Sequence, residues 1–140
     1  MLTSRRIAML AFALALCPAA WAQEDIDVKP AMAAAESWLA MLDSGRYAES
    51  WEAAASIFRD ETPKVKWETT VEGTRAPLGV VIARKLRSAN YSRGLGSLPD
   101  GHFFVIQYDT RFENRPLSTE VVTPMRGADG VWKVSAYILR

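Results

Sequence analysis

Asp109 follows Tyr108 in a strand-like stretch, and Tyr47 and Tyr137 lie elsewhere in the same short chain. A carboxylate and a phenol held together can divide acid–base work. The carboxylate acts as general base and the phenol donates to a developing oxyanion. That chemistry needs the carboxylate in an apolar pocket. Strand alternation puts Asp109 on the face opposite Tyr108, so the competing reading is a surface carboxylate paired across strands with Arg87, Arg111 or Lys133. Glu120 is the second acid–base candidate. It is expected on the same mixed face as Gln107, Asp109, Arg111, Lys133, Ser135 and Tyr137. Arg75 is the third polar candidate. It could close the last carbonyls of a helix, pair with an acid such as Asp43, or hold a small anion.

Other chemistries lack their residues. His102 is the only histidine and Cys17 the only cysteine, so no convergent set of nitrogen or sulfur metal ligands exists. Carboxylates alone show no calcium-loop spacing. No Gly-x-Ser-x-Gly elbow surrounds Ser50, Ser88 or Ser135. The stretch Arg93-Gly94-Leu95-Gly96-Ser97 lacks the Lys-Ser/Thr ending of a phosphate loop and does not open a helix. No cofactor is expected.

Two kinds of periodicity must position these side chains. Ala31, Ala35, Trp38, Leu39 and Leu42 repeat at helical spacing, with Pro30 at the entrance and Gly45 beyond the exit. Tyr47, Trp51, Ala54, Ala55 and Phe58 form a second stripe on what reads as one helix. Thr62-Pro63 reads as the cap and first position of a third helix, carrying Trp67 and Val71, with Pro77 and Gly79 ending it. From residue 81 the period becomes two. The segments 81–91, 103–112, 118–125 and 131–139 read as strands, and Asp129-Gly130 marks the last hairpin. On the third segment Thr119, Val121, Thr123 and Met125 share a face. On the fourth Trp132, Val134, Ala136 and Ile138 do. Helices followed by hairpin-linked strands define an α+β fold: about three N-terminal helices on one face of a four-stranded antiparallel curved sheet.

The N-terminus carries an address. Arg5 and Arg6 precede an apolar run from Ile7 to Leu16, and Ala20-Trp21-Ala22 precedes Gln23. This is the pattern of a secretory signal, with cleavage between Ala22 and Gln23. The run is about half the ~20 residues of a membrane-spanning helix, so no stable membrane insertion is expected after cleavage. Residues 23–30 read as a flexible leader and 31–140 as a single domain, placed in the periplasm or outside the cell. Both general secretory and twin-arginine export fit Ser4-Arg5-Arg6. Cleavage removes Cys17, leaving a domain without disulfides or thiolate chemistry. It also removes two of the 17 basic residues that face 16 acidic ones, so the processed chain is nearly neutral. A nucleic-acid partner is not expected on that balance.

The ordered pieces resemble a family. Trp38-Leu39-x-x-Leu42-Asp43-x-Gly45-x-Tyr47-x-x-Ser50-Trp51 is followed by Trp67, Arg75-Ala76-Pro77-Leu78-Gly79 and Leu86-Arg87-Ser88. Then come Val105-Ile106-Gln107-Tyr108-Asp109-Thr110-x-Phe112, Glu120-x-Val122-Thr123 and Gly130-x-Trp132-x-Val134-x-x-Tyr137. Together these resemble the bacterial domain-of-unknown-function family 4019. The resemblance implies a small exported protein without assigned activity. Its element order is similar to the nuclear-transport-factor-2-like cone, in which a curved sheet wraps helices around a pocket. That fold hosts enzymes, binders and dimerisation modules alike, so it transfers no function.

Three functional expectations follow. The leading one is a non-enzymatic binding or protein-interaction module, with an unknown partner or a second copy held through the mixed sheet face. The second is a small-molecule pocket lined by Trp38, Tyr47, Trp51, Trp67 and Phe104. The third is an isomerase- or dehydratase-like enzyme of the cone fold, which requires Asp109 or Glu120 to face such a pocket.

Overall fold

The computed structural model describes residues 25–140; the secretory-signal expectation, with Ala22 and Gln23, lies outside them. The chain forms α1 (Val28–Asp43), α2 (Tyr47–Ala53), α3 (Ser56–Glu61), α4 (Lys64–Arg75) and a 3-10 turn at Ala76–Leu78. Strands β1 (Val81–Ser92), β2 (His102–Phe112), β3 (Arg115–Arg126) and β4 (Trp132–Leu139) follow. They make one open antiparallel sheet in the order β1-β2-β3-β4. The α+β class is as the periodicity dictates.

Helix α1 starts at Val28 because the Asp27 carboxylate accepts from the Lys29 backbone N–H at 2.9 Å. Pro30 stands in the first turn, where its missing N–H leaves no helical bond unmade. The α1 stripe Ala31, Ala35, Trp38, Leu39 and Leu42 is buried against the sheet. Gly45, at φ +72°, then turns the chain, with its N–H bonded to the Leu42 carbonyl.

The second helix of the sequence reading is two helices. Ala54 and Ala55 adopt extended backbone angles and are buried. The Ala55 N–H donates to the Val134 carbonyl of β4 at 2.8 Å. Alanine favours helix locally, yet here a main-chain bond to the sheet edge wins, and small side chains permit the approach. Pro63 is the N-cap of α4 rather than its first residue.

Helix-facing residues of β2 are Phe104, Ile106, Tyr108, Thr110 and Phe112, all buried. The register then corrects β3. Tyr108 pairs with Glu120 and Ile106 with Val122, so Ser118, Glu120 and Val122 face the helices. The expected face of Thr119, Val121, Thr123 and Met125 is the outer one. On β4 the register shifts between Thr123↔Ala136 and Pro124↔Val134, which leaves Ser135 without a partner residue. This bulge reverses the alternation. Trp132 and Val134 point to the helices before it, and Tyr137, opposite Val122, does so after it. Glu120 and Tyr137 therefore leave the mixed face to which simple alternation assigned them.

Strand β1 carries two irregularities, at Ile82 and Arg87, where one residue is unmatched by β2. Between them Arg84 pairs with Thr110 and so turns inward.

Two glycines test this backbone with opposite signs. Gly79 has φ +76°, and an added Cβ would lie 2.9 Å from Glu113 Cβ. Gly73 sits within α4 with open space around it. Gly79→Ala lowers unfolding free energy by about 1–3 kcal/mol, whereas Gly73→Ala raises it by about 0.5–1 kcal/mol. Urea midpoints of the two variants check both.

Candidate functional site

Two of the three polar candidates, Arg75 and Glu120, meet on the helix-facing side of the sheet. The Glu120 side chain is fully buried. Its Oε1 accepts from Thr110 Oγ1 at 2.6 Å and Arg84 Nε at 2.8 Å. Its Oε2 accepts from the Tyr137 hydroxyl at 2.5 Å and Arg75 Nη1 at 3.0 Å. Both guanidinium groups continue to Asp43. Arg84 binds it through Nη1 at 2.7 Å and Nη2 at 2.9 Å, and Arg75 closes on the same carboxylate. Asp43 ends α1, Arg75 ends α4, Arg84 lies on β1, Glu120 on β3 and Tyr137 on β4.

Two cations face two anions, so the cluster is neutral as a whole. Burial alone would raise the Asp43 carboxyl, but Arg84 and Arg75 outweigh it and hold the group below its ordinary range. Burial likewise works against both arginine cations, yet their partners dominate and both pKa values are raised. The Tyr137 phenol is pushed up, first by burial and then by the neighbouring Glu120 charge. It stays a neutral donor.

Asp43 and Arg84 reach the surface, but Glu120 has no opening for a reactant. Four donors saturate the Glu120 carboxylate, and its side chain has no exposure. A general base needs an unoccupied lone pair within reach of a substrate proton. Glu120 faces inward, as catalysis in a cone requires, but onto arginines rather than a cavity.

The five aromatics of the expected pocket do not enclose one. Trp38, Trp67 and Phe104 are buried core, while Tyr47 and Trp51 are half-buried and pack against it. Trp38, Phe58, Trp67 and Tyr137 meet ring to ring, with centroids 4.9–6.3 Å apart. Indole N–H groups are also committed. Trp38 donates to the Ser50 carbonyl, Trp67 to the Ser50 hydroxyl and Trp51 to the Thr62 carbonyl, at 2.7–3.0 Å. Trp38 borders a surface groove, beside Trp132 and Met41.

Asp109 lies on the outer face, about half exposed, with Arg87 Nη2 at 2.5 Å. This is the cross-strand ion pair of the sequence reading. His102 Nδ1 meets the Tyr91 hydroxyl at 2.7 Å at the sheet's end. Among the described residues no group of three or more His, Cys, Asp or Glu could hold a metal ion. No described helix is long and apolar enough to cross a membrane.

The outer face holds a groove of about 600 Å³ across β1, β2 and the start of β3. Lys85, Arg87, Asp109, Arg111, Leu117 and Arg140 are among its walls. Leu117 is 89% exposed, and Ile138 on the same face is 45% exposed.

A model of a family, described as protein of unknown function (DUF4019), matches residues 34–137. The chain belongs to the DUF4019 family. The match runs from the middle of α1 to Tyr137, and so spans every member of the Glu120 cluster. No curated protein and no solved structure matches the chain. The sheet is open, and the side chains of its helix-facing side pack against the helices.

Sequence reasoning named Arg75, Asp43 and Glu120 but not their common meeting point. Arg84 and Thr110 went unnoticed. Nothing local distinguishes Arg84 from its neighbours Lys85 and Arg87; only the β1 register turns it inward.

Removing one charge from the cluster leaves a buried cation uncompensated. Glu120→Gln lowers unfolding free energy by about 3–5 kcal/mol, whereas Arg87→Gln at the exposed Asp109 pair costs less than about 1 kcal/mol. Chemical denaturation of both separates the cases. The pH dependence has two limbs. A folded-state pKa raised for Tyr137 stabilises below the unfolded phenol value of about 10 and is lost as pH rises beyond it. The lowered Asp43 value stabilises above about pH 4 and is lost as pH falls further. Tyr137→Phe reduces the alkaline limb without abolishing it, because burial also pushes the Tyr108 phenol up to about 12. Urea midpoints measured across pH check the slopes.

Proposed function

We propose that this DUF4019 domain is a non-catalytic binding module, exported to the periplasm, that engages a protein through the outer face of its sheet. The observation that supports it most is the contrast between the two faces. On the helix side every charged group of the cluster is spent on another, and the aromatics pack on one another. On the outer face Lys85, Arg111 and Arg140 are exposed, and exposed aliphatic side chains lie among them. Binding capacity not used by the fold is therefore concentrated there. The five aromatics of the expected small-molecule pocket pack into and against the core instead of around a common space, and an acid–base enzyme at Glu120 has no access.

A photo-cross-linking residue at Gln107 or Val105, on the outer face, is expected to trap a protein adduct in cells. The same residue at Thr70, on the exposed side of α4, is expected to trap none. Adducts only from Thr70, or from neither face, would defeat the reading. Sedimentation velocity at high micromolar concentration decides whether the adduct is a second copy. Cell fractionation with intact-mass measurement tests export: the product is expected to begin at Gln23.

A further inference from the structure

Charge is divided unevenly along the chain. Residues 25–79 carry ten acidic and six basic side chains, whereas residues 80–140 carry five and nine. The helical part is thus acidic and the sheet part basic, which the near-neutral total conceals. One of the sheet's cations, Arg84, is spent inside with Glu120 and Asp43, while Lys85, Arg87, Arg111 and Arg140 line the outer groove. Asp109 is the acidic residue of that lining, and Arg87 already holds it.

We infer that this groove binds an extended, acidic protein segment that also carries an apolar side chain. The inference rests on the binding-module reading and names the chemistry of its partner. Charge complementarity is the first argument: Lys85, Arg111 and Arg140 have no acidic partner among the described residues. Shape is the second. In strand register Lys85 stands opposite Asp109, whose ion pair is with Arg87, and Asp109 stands opposite Thr119, so the cations spread over a surface rather than converging on a point. A small inorganic anion gains little from cations so exposed, whereas a segment offering several carboxylates meets them together. Leu117 is the third argument. Its nearly full exposure beside the cations suits an apolar contact within a charged rim. Aromatic side chains are absent from the groove's lining, so it offers no platform on which nucleic-acid bases could stack.

The test uses protein purified after expression of the full chain, and fluorescein-labelled Glu-Glu-Leu-Leu-Glu-Glu as probe. In an extended peptide each face of this sequence presents glutamate, leucine and glutamate in turn. Anisotropy is expected to show saturable binding that weakens by about tenfold as salt rises from about 0.05 to 0.3 M, because exposed charges are screened. The double variant Lys85→Glu with Arg111→Glu is expected to weaken binding by at least about tenfold with the thermal midpoint unchanged. Leu117→Asp is expected to weaken it several-fold, and Lys66→Glu on α4 to leave it unchanged. If the charge reversal lowers the thermal midpoint, Lys85→Ala with Arg111→Ala is measured instead, with the same direction expected.

Undiminished binding by the groove variants overturns the proposal. So does tighter binding of labelled oligothymidine or of phosphatidylglycerol vesicles than of the peptide, which would assign the groove to nucleic acid or lipid. Absence of peptide binding alongside cross-links from Gln107 would remove the acidic partner and leave the binding-module reading intact. Absence of both would remove both. A dimer broken by Leu117→Asp, with no peptide binding, would assign the face to a second copy.

Discussion

The structure depends on how the Glu120 charge is neutralised. Its carboxylate is fully buried on the central strand β3, where an unpaired anion would be intolerable. Arg75 and Arg84 reach it from α4 and β1, and Asp43 of α1 balances the second guanidinium charge. One carboxylate thus ties together elements that are far apart in sequence: Arg75 and Glu120 are separated by 45 residues. Such a cluster contributes little to net stability compared with an apolar replacement of the same shape. Its loss in part is costly, and so it fixes which strand face meets which helix end.

The same geometry limits function. Carboxylate, guanidinium and phenol are the components of many active sites, and here they lie within hydrogen-bond distance of one another. They are bound to one another. Every oxygen of Glu120 is taken, the tryptophan N–H groups are committed to Ser50 and Thr62, and aromatic rings fill the adjoining space. Asp43 and Arg84 reach the surface, but their charged groups are already bound to one another and to Glu120. On the opposite face Lys85, Arg111 and Arg140 are exposed and Leu117 stands nearly uncovered.

Irregular pairing decides which residues belong to which face. The Ser135 bulge lets Trp132, Val134 and Tyr137 all face the helices although their positions break strict alternation. The unmatched residues of β1 turn Arg84 inward between outward Ala83 and Lys85. The extended pair Ala54-Ala55 is a comparable device on the helical side. It breaks a helical stripe to place one N–H on the edge of β4.

The order of hydrophobic periods by itself determined the α+β class, the number of strands and the α1 stripe, because a buried face imprints its own repeat on the chain. It also carried the family resemblance, and it set Asp109 on the outer face with Arg87, Arg111 and Lys133 as candidate partners, of which the structure selects Arg87. Only the tertiary structure decided that Glu120 and Tyr137 are inside, that Arg84 and Thr110 join them, and that the second helix is broken. Those outcomes depend on cross-strand register and on contacts between residues distant in sequence. A single extra residue in a strand reverses every side chain after it, and no local pattern records where that residue will fall.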